Sequence, residues 1–135
     1  CHSAGGTVNS GIIFGGNPGS SPNVTGATEL YDGTTWSETS NLTGERTFRN
    51  GSGLGTQNAT LAAAGHDGSS YLTSAEEFNG TSWSNTTSLT TGRDSFAGFG
   101  SQGSAVVAGG YAAPANLNST QEYSVTYIKT VSLSS

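Results

Sequence analysis

Two stretches of this sequence are near copies of each other. Glu29-Leu30-Tyr31-Asp32-Gly33-Thr34-Thr35-Trp36-Ser37 returns as Glu76-Glu77-Phe78-Asn79-Gly80-Thr81-Ser82-Trp83-Ser84, and the two tryptophans set a period of 47 residues (83 − 36). A repeat of this length restricts the chain to architectures in which one small unit stacks on its neighbours. Each copy reads as strand, tight turn, strand, because Asp-Gly and Asn-Gly supply the positive φ angles of a type I′ hairpin. The aromatic residue before the turn pairs across the strands with the Trp after it. Trp36 and Trp83 are therefore expected in equivalent, packed positions of an outer strand.

Three repeats can be overlaid, Cys1–Glu45, Arg46–Thr91 and Gly92–Ser135, forming one repeat domain over 1–135. Each opens on a Gly-rich segment and a two-residue turn: Val8-Asn9, Gln57-Asn58, Gln102-Gly103. A small apolar strand follows (Ile12-Ile13-Phe14, Leu61-Ala62-Ala63, Val106-Val107-Ala108) and ends in a small pair: Gly15-Gly16, Ala64-Gly65, Gly109-Gly110. After a polar loop, Tyr31, Phe78 or Tyr123 closes a third strand, and in the first two repeats the turn leads to a Trp-bearing fourth. Four short antiparallel strands per unit of about 45 residues is the content of a β-propeller blade. The expected class is therefore all-β, with crowded inner strands of Gly, Ala and Ser and roomier outer strands holding Trp. No segment has the apolar spacing of a helix. A sandwich leaves the period unexplained, and a solenoid repeats at shorter intervals.

Charged residues make up 10% of the chain and apolar ones 32%, with Gly, Ser, Thr and Asn filling the difference. A net charge of −5 gives no basic patch to neutralise phosphates, so a nucleic-acid partner is not expected. The apolar runs, such as 11–14 and 105–108, are too short for a membrane span. A single cysteine excludes an internal disulfide; Cys1 is either a lipidated start or an arbitrary chain end. The absence of Met points to a processed chain or a piece of a longer one.

The succession of a small apolar strand ending Gly-Gly, then Glu-x-Tyr-Asp, then Trp resembles a degenerate kelch repeat. Its marks are Gly15-Gly16, Glu29, Tyr31-Asp32 and Trp36, and again Ala64-Gly65, Glu76, Phe78-Asn79 and Trp83. Arg46 and Arg93 stand where the kelch pattern has an Arg before the innermost strand; the third repeat keeps Gly109-Gly110 and Glu122-Tyr123 but lacks the Asp-Gly turn and the Trp. The chain is similar to kelch-like arrays in extracellular or virion-associated proteins of microbes and their viruses. That resemblance implies an architecture and leaves function open, because propellers host many activities.

Some kelch-like propellers belong to the galactose oxidase family, whose copper site uses two Tyr, two His and a Tyr–Cys crosslink. Here only Cys1, His2 and His66 offer matching ligands, and His66 sits at a loop position held by Asn17 and Tyr111 in the sister repeats. No metal site or other cofactor is expected. Glu76, Glu77 and Glu122 invite comparison with a glycosidase carboxylate pair. Yet Glu29, Glu76 and Gln121 are repeat equivalents, as are Leu30, Glu77 and Glu122, which reads as a structural device bonding a neighbouring strand or the Arg at 46 or 93. No catalytic residue is assigned. Asn23, Asn41, Asn50, Asn58, Asn79, Asn85 and Asn118 lie in Asn-x-Ser/Thr sequons, candidate glycan acceptors in a secreted protein, although a glycan on Asn79 would compete with its own turn.

Two functional classes follow, beside a galactose-oxidase-like enzyme as the distant option that the resemblance leaves. One is a non-catalytic structural or adhesive module of an extracellular, cell-surface or virion appendage. The other is a carbohydrate-binding module using Tyr71, Tyr111 and His66 on the loops that leave the small pairs. Three repeats do not close a propeller of four to eight blades, so association is expected. The stretch Tyr123–Ser135 alternates without Gly, Pro, Asn or Asp and reads as one long strand, placed to complete a neighbour's sheet as copies join into a ring or fibre, or else to lead into a following domain.

Overall fold

The computed structural model describes residues 2–20, 23–49 and 54–132. Among these residues every regular element is a strand. The first sheet has the order β1 (Ser3–Thr7), β2 (Ser10–Phe14), β3 (Thr28–Tyr31), β4 (Trp36–Glu38). The second is β5 (Leu54–Thr56), β6 (Ala59–Ala63), β7 (Ala75–Phe78), β8 (Trp83–Thr86). In the third, β9 (Ala97–Ser101), β10 (Ser104–Ala108), β13 (Ser119–Ser124) and β14 (Tyr127–Ser132) pair in that order, and the small hairpin of β11 (Tyr111–Ala112) and β12 (Ala115–Asn116) lies in the loop after β10.

Local chemistry sets these elements. The turns at 8–9, 57–58 and 102–103 each join two antiparallel strands, as their spacing requires. Asp32 Oδ1 accepts from the amides of Thr34 and Thr35, and Asn79 Oδ1 accepts from those of Thr81 and Ser82, so the two copied hairpins share one Asx-stabilised turn. They also share a register, with Tyr31 opposite Trp36 and Phe78 opposite Trp83. The small pairs adopt left-handed backbone at each first position: φ is 62° at Gly15, 59° at Ala64 and 63° at Gly109. A Cβ on Gly15 would stand 2.7 Å from the Arg46 carbonyl oxygen and 2.9 Å from the Phe48 ring, so a side chain at this one of the three positions requires both to shift.

The inner strands β1, β5 and β9 adjoin, and the sheets pack face to face. Between the first two lie Ile12, Phe14, Ala62, Phe78 and Trp83, joined by Leu42 and Phe48 of the connecting segment. Between the second and third lie Leu54, Leu61, Ala63, Ala75, Ala105, Val107 and Tyr123, joined by Leu89 and Phe96. Strand alternation sends Leu61 and Ala63 one way and Ala62 the other, so the second sheet is covered on both sides.

Two expectations are corrected. The stretch Tyr123–Ser135 is not one long strand: β13 and β14 form a hairpin in which Tyr123 faces Ile128, the register that Tyr31–Trp36 and Phe78–Trp83 use. Ser124 Oγ accepts from the Thr126 amide and supplies the turn that no Gly or Asn announced. Leu133–Ser135 lie outside the described residues. Nor are the tryptophans equally packed: Trp83 is 6% exposed and Trp36 49%. Trp83 rests on Phe14 and donates its indole N–H to Thr28 Oγ1 of the first sheet at 3.0 Å, whereas no sheet among the described residues covers the corresponding side of the first sheet.

Candidate functional site

The segments between sheets carry the most specific polar contacts. Arg46 Nη1 donates to the carbonyls of Ala64 (3.1 Å) and Ser74 (2.9 Å), and Nη2 pairs with Glu76 at 2.8 Å. Its own carbonyl accepts from Gly16 of the first sheet. Arg46 thus rivets the first sheet to the second. Glu76 is saturated, accepting also from Thr43 N, Thr43 Oγ1 and Gly44 N. Arg93 repeats the device, with Nη1 donating to the carbonyls of Gly109 (2.7 Å) and Ser119 (2.9 Å), while its carbonyl accepts from Gly65. Gln121 stands in place of Glu76, and Arg93 Nη2 turns to Ser119 Oγ. Burial lowers both guanidinium pKa values, and the Glu76 charge opposes this at Arg46. The structural role expected of the repeated carboxylate is the one Glu76 plays.

A second repeated device was not recognised in the sequence. Gln57 Nε2 in the β5–β6 turn donates to the carbonyls of Gly11 and Tyr31, and Gln102 Nε2 in the β9–β10 turn donates to those of Thr60 and Phe78. The recurrence of Gln at the same turn position was the available signal. Its first-sheet equivalent is Val8, 84% exposed.

His66, Tyr71 and Tyr111 come together at the loop ends of the sheets. The His66 and Tyr71 rings lie 4.9 Å apart and those of Tyr71 and Tyr111 5.8 Å, both edge to face, and all three residues are half-buried. Backbone pairing fixes them: Thr47 and His66 exchange two amide bonds, as do Asp94 and Tyr111. His66 Nδ1 accepts from the Gly68 amide. Beside His66 opens a cleft of about 460 Å³ lined by Asn17, Asn23, Val24, Thr47, Arg49 and Gly68. Arg49 is held there by buried Asp94, whose carboxylate lies 3.5 Å from Nε and accepts the Arg49 amide at 3.0 Å.

The remaining candidates are dispersed. Glu77 accepts from Tyr123 Oη, whose pKa is pushed up to about 12 by burial, while exposed Glu122 faces Lys129 across the hairpin. No group of three His, Cys, Asp or Glu that could hold a metal occurs among the described residues. His2 donates through Nδ1 to the Gly15 carbonyl on the first sheet, and Cys1 lies outside the described residues. Asn23, Asn41, Asn58, Asn79, Asn85 and Asn118 are exposed, and Asn50 lies outside the described residues. Among the described residues no helix is long and apolar enough to cross a membrane.

The stack ends in two faces. That of the first sheet shows Val8, Trp36 and half-buried Tyr31, whose ring lies 5.0 Å from Trp36. That of the third shows Phe99, 62% exposed, at the position where the second sheet buries Leu54 at 1%.

The solved structure titled "Structure of YjhT" is similar to this chain with a TM-score of 0.71 and 15% sequence identity, over 96% of this chain and 43% of that one. At that identity the likeness concerns the fold, and the chain spans less than half of the other's length. No family model and no curated protein matches the sequence.

Proposed function

We propose that this chain is a non-catalytic structural module of kelch-like propeller blades, which works by stacking flank to flank with further units in an extracellular, cell-surface or virion assembly. One observation carries the reading: the end faces bear the residues that the inner interfaces bury. Trp36 is exposed where Trp83 is covered, and Phe99 where Leu54 is covered. Repeat proteins cap or associate such faces. A second copy stacked head to tail brings Trp36 against Thr120, the β13 equivalent of the Thr28 that receives Trp83. Light scattering over a concentration series tests this, with Trp fluorescence as the local probe. Mass should rise together with a blue shift that Trp36→Phe removes. A constant monomer mass with unshifted emission at all concentrations rejects it.

A second reading, carbohydrate binding on the loop face, is favoured by the His66–Tyr71–Tyr111 cluster beside the Arg49 cleft. Half-buried rings next to polar side chains suit a sugar, which offers one apolar face and a rim of hydroxyls. Binding on a glycan array that disappears in both Tyr71→Ala and Tyr111→Ala supports it; no binding to any glycan removes it.

A further inference from the structure

The first sheet carries the Arg46 and Arg93 receptor without an arginine. In the second sheet the guanidinium is held by the carbonyls of Ala64 and Ser74 and by Glu76; in the third, by the carbonyls of Gly109 and Ser119 beside Gln121. Strand register gives the first-sheet equivalents. Ile13 is opposite Glu29 as Ala62 is opposite Glu76, and Gly15 N bonds the Ala27 carbonyl as Ala64 N bonds that of Ser74. Gly15 O, Ala27 O and the Glu29 carboxylate therefore form the third receptor. They line a cavity of about 70 Å³ with Ile13, Phe14, Thr25 and His2.

Two independent observations mark this slot as made for a cation. The Gly15 carbonyl already draws a donor, His2 Nδ1 at 2.9 Å, in the place where Ala64 O takes Arg46. Glu29 also stands directly opposite Glu38, where Glu76 faces Asn85 and Gln121 faces Thr130. Like charges opposite each other on one sheet face repel, and a cation between them relieves the repulsion. Among the described residues neither carboxylate has a cationic partner.

We infer that this slot binds the arginine side chain of a connecting segment belonging to a further unit, of the Leu-Thr-x-x-Arg kind seen at Leu42–Arg46 and Leu89–Arg93. The inference rests on the stacking reading and names its preferred partner. The planar fork of a guanidinium reaches two carbonyls and a carboxylate together, which an ammonium does not. The two arginines of this kind in the chain, Arg46 and Arg93, already fill the slots of the second and third sheets, so the slot of the first sheet is left for the arginine of a unit stacked on the outer face of that sheet.

The test is an NMR titration of the full chain with the synthetic peptide Asn-Leu-Thr-Gly-Glu-Arg-Thr-Phe. We expect saturable shifts at Gly15, Ala27 and Glu29 and displacement of the His2 ring signals, in the millimolar range expected of a short flexible peptide, about 1–10 mM. Replacing the peptide's Arg by Lys, or Glu29→Lys in the half-exposed position of the protein, should weaken binding roughly tenfold or more. Absence of saturable shifts, or equal shifts with the Lys peptide or in Glu29→Lys, overturns the inference. Concentration-dependent mass in the same Glu29→Lys sample then shows whether stacking survives without the slot.

Discussion

Among single residues the largest differences arise between equivalents in different surroundings. Trp83→Ala removes a ring packed on Phe14 and Phe78 and should cost about 3–5 kcal/mol in urea unfolding. Trp36→Ala, in the same register but without a covering sheet, should cost about 1 kcal/mol or less, as exposed positions do. Glu76→Ala strips the buried Arg46 of its counter-charge and should cost about 3–5 kcal/mol. Glu76→Gln should cost clearly less, because Gln121 already serves beside Arg93, bonding Thr90 Oγ1 through Nε2. The converse change, Gln121→Glu, gives Arg93 a carboxylate and should raise the unfolding midpoint. A drop there would mean that the third slot is shaped for the amide.

Strand hairpins act as units, and the C-terminal one completes the third sheet rather than reaching out of it. Deleting β14 uncovers Tyr123, and should lower stability before it alters any association; circular dichroism melts separate the two effects. Tyr123 also gives the hairpin a pH signature. Its pKa is raised to about 12, first by burial, with Thr86 opposing and Glu77 reinforcing the shift. A pKa raised on folding means stability held below the unfolded value near 10 and lost as pH climbs toward 12. Alkaline unfolding should begin in that window, and Tyr123→Phe should flatten the loss. An unchanged alkaline limb in Tyr123→Phe would show that other groups govern it.

For the molecule as a whole, stability is shared between neighbouring sheets. Each Gln bridge crosses an interface with two bonds at about 1 kcal/mol each, so Gln102→Ala should cost about 1–3 kcal/mol. If the sheets unfold together, Gln57→Ala and Gln102→Ala each shift one common transition. If they unfold separately, Gln102→Ala splits it, and intrinsic Trp emission, which reports on the first two sheets, parts from far-UV circular dichroism.

Outside the Ser124–Thr126 turn, the sequence by itself determined the four-stranded units, their turns and the copied hairpin register, and it marked the repeated acid as a structural device bonding a neighbouring strand or Arg46 or Arg93. These follow from turn chemistry and from spacing that recurs within the chain, both visible along one dimension. It also grouped Tyr71, Tyr111 and His66 on loops of one face, but not their ring contacts, because these depend on how neighbouring connecting segments pair. Tertiary structure alone decided that Trp36 is open and Trp83 closed, and that the Glu29 slot lacks the guanidinium its counterpart Glu76 holds. The copied stretches carry almost the same residues in each case. What differs is the sheet that does or does not stand against them, and burial is set by that neighbour rather than by the residue's own stretch of chain.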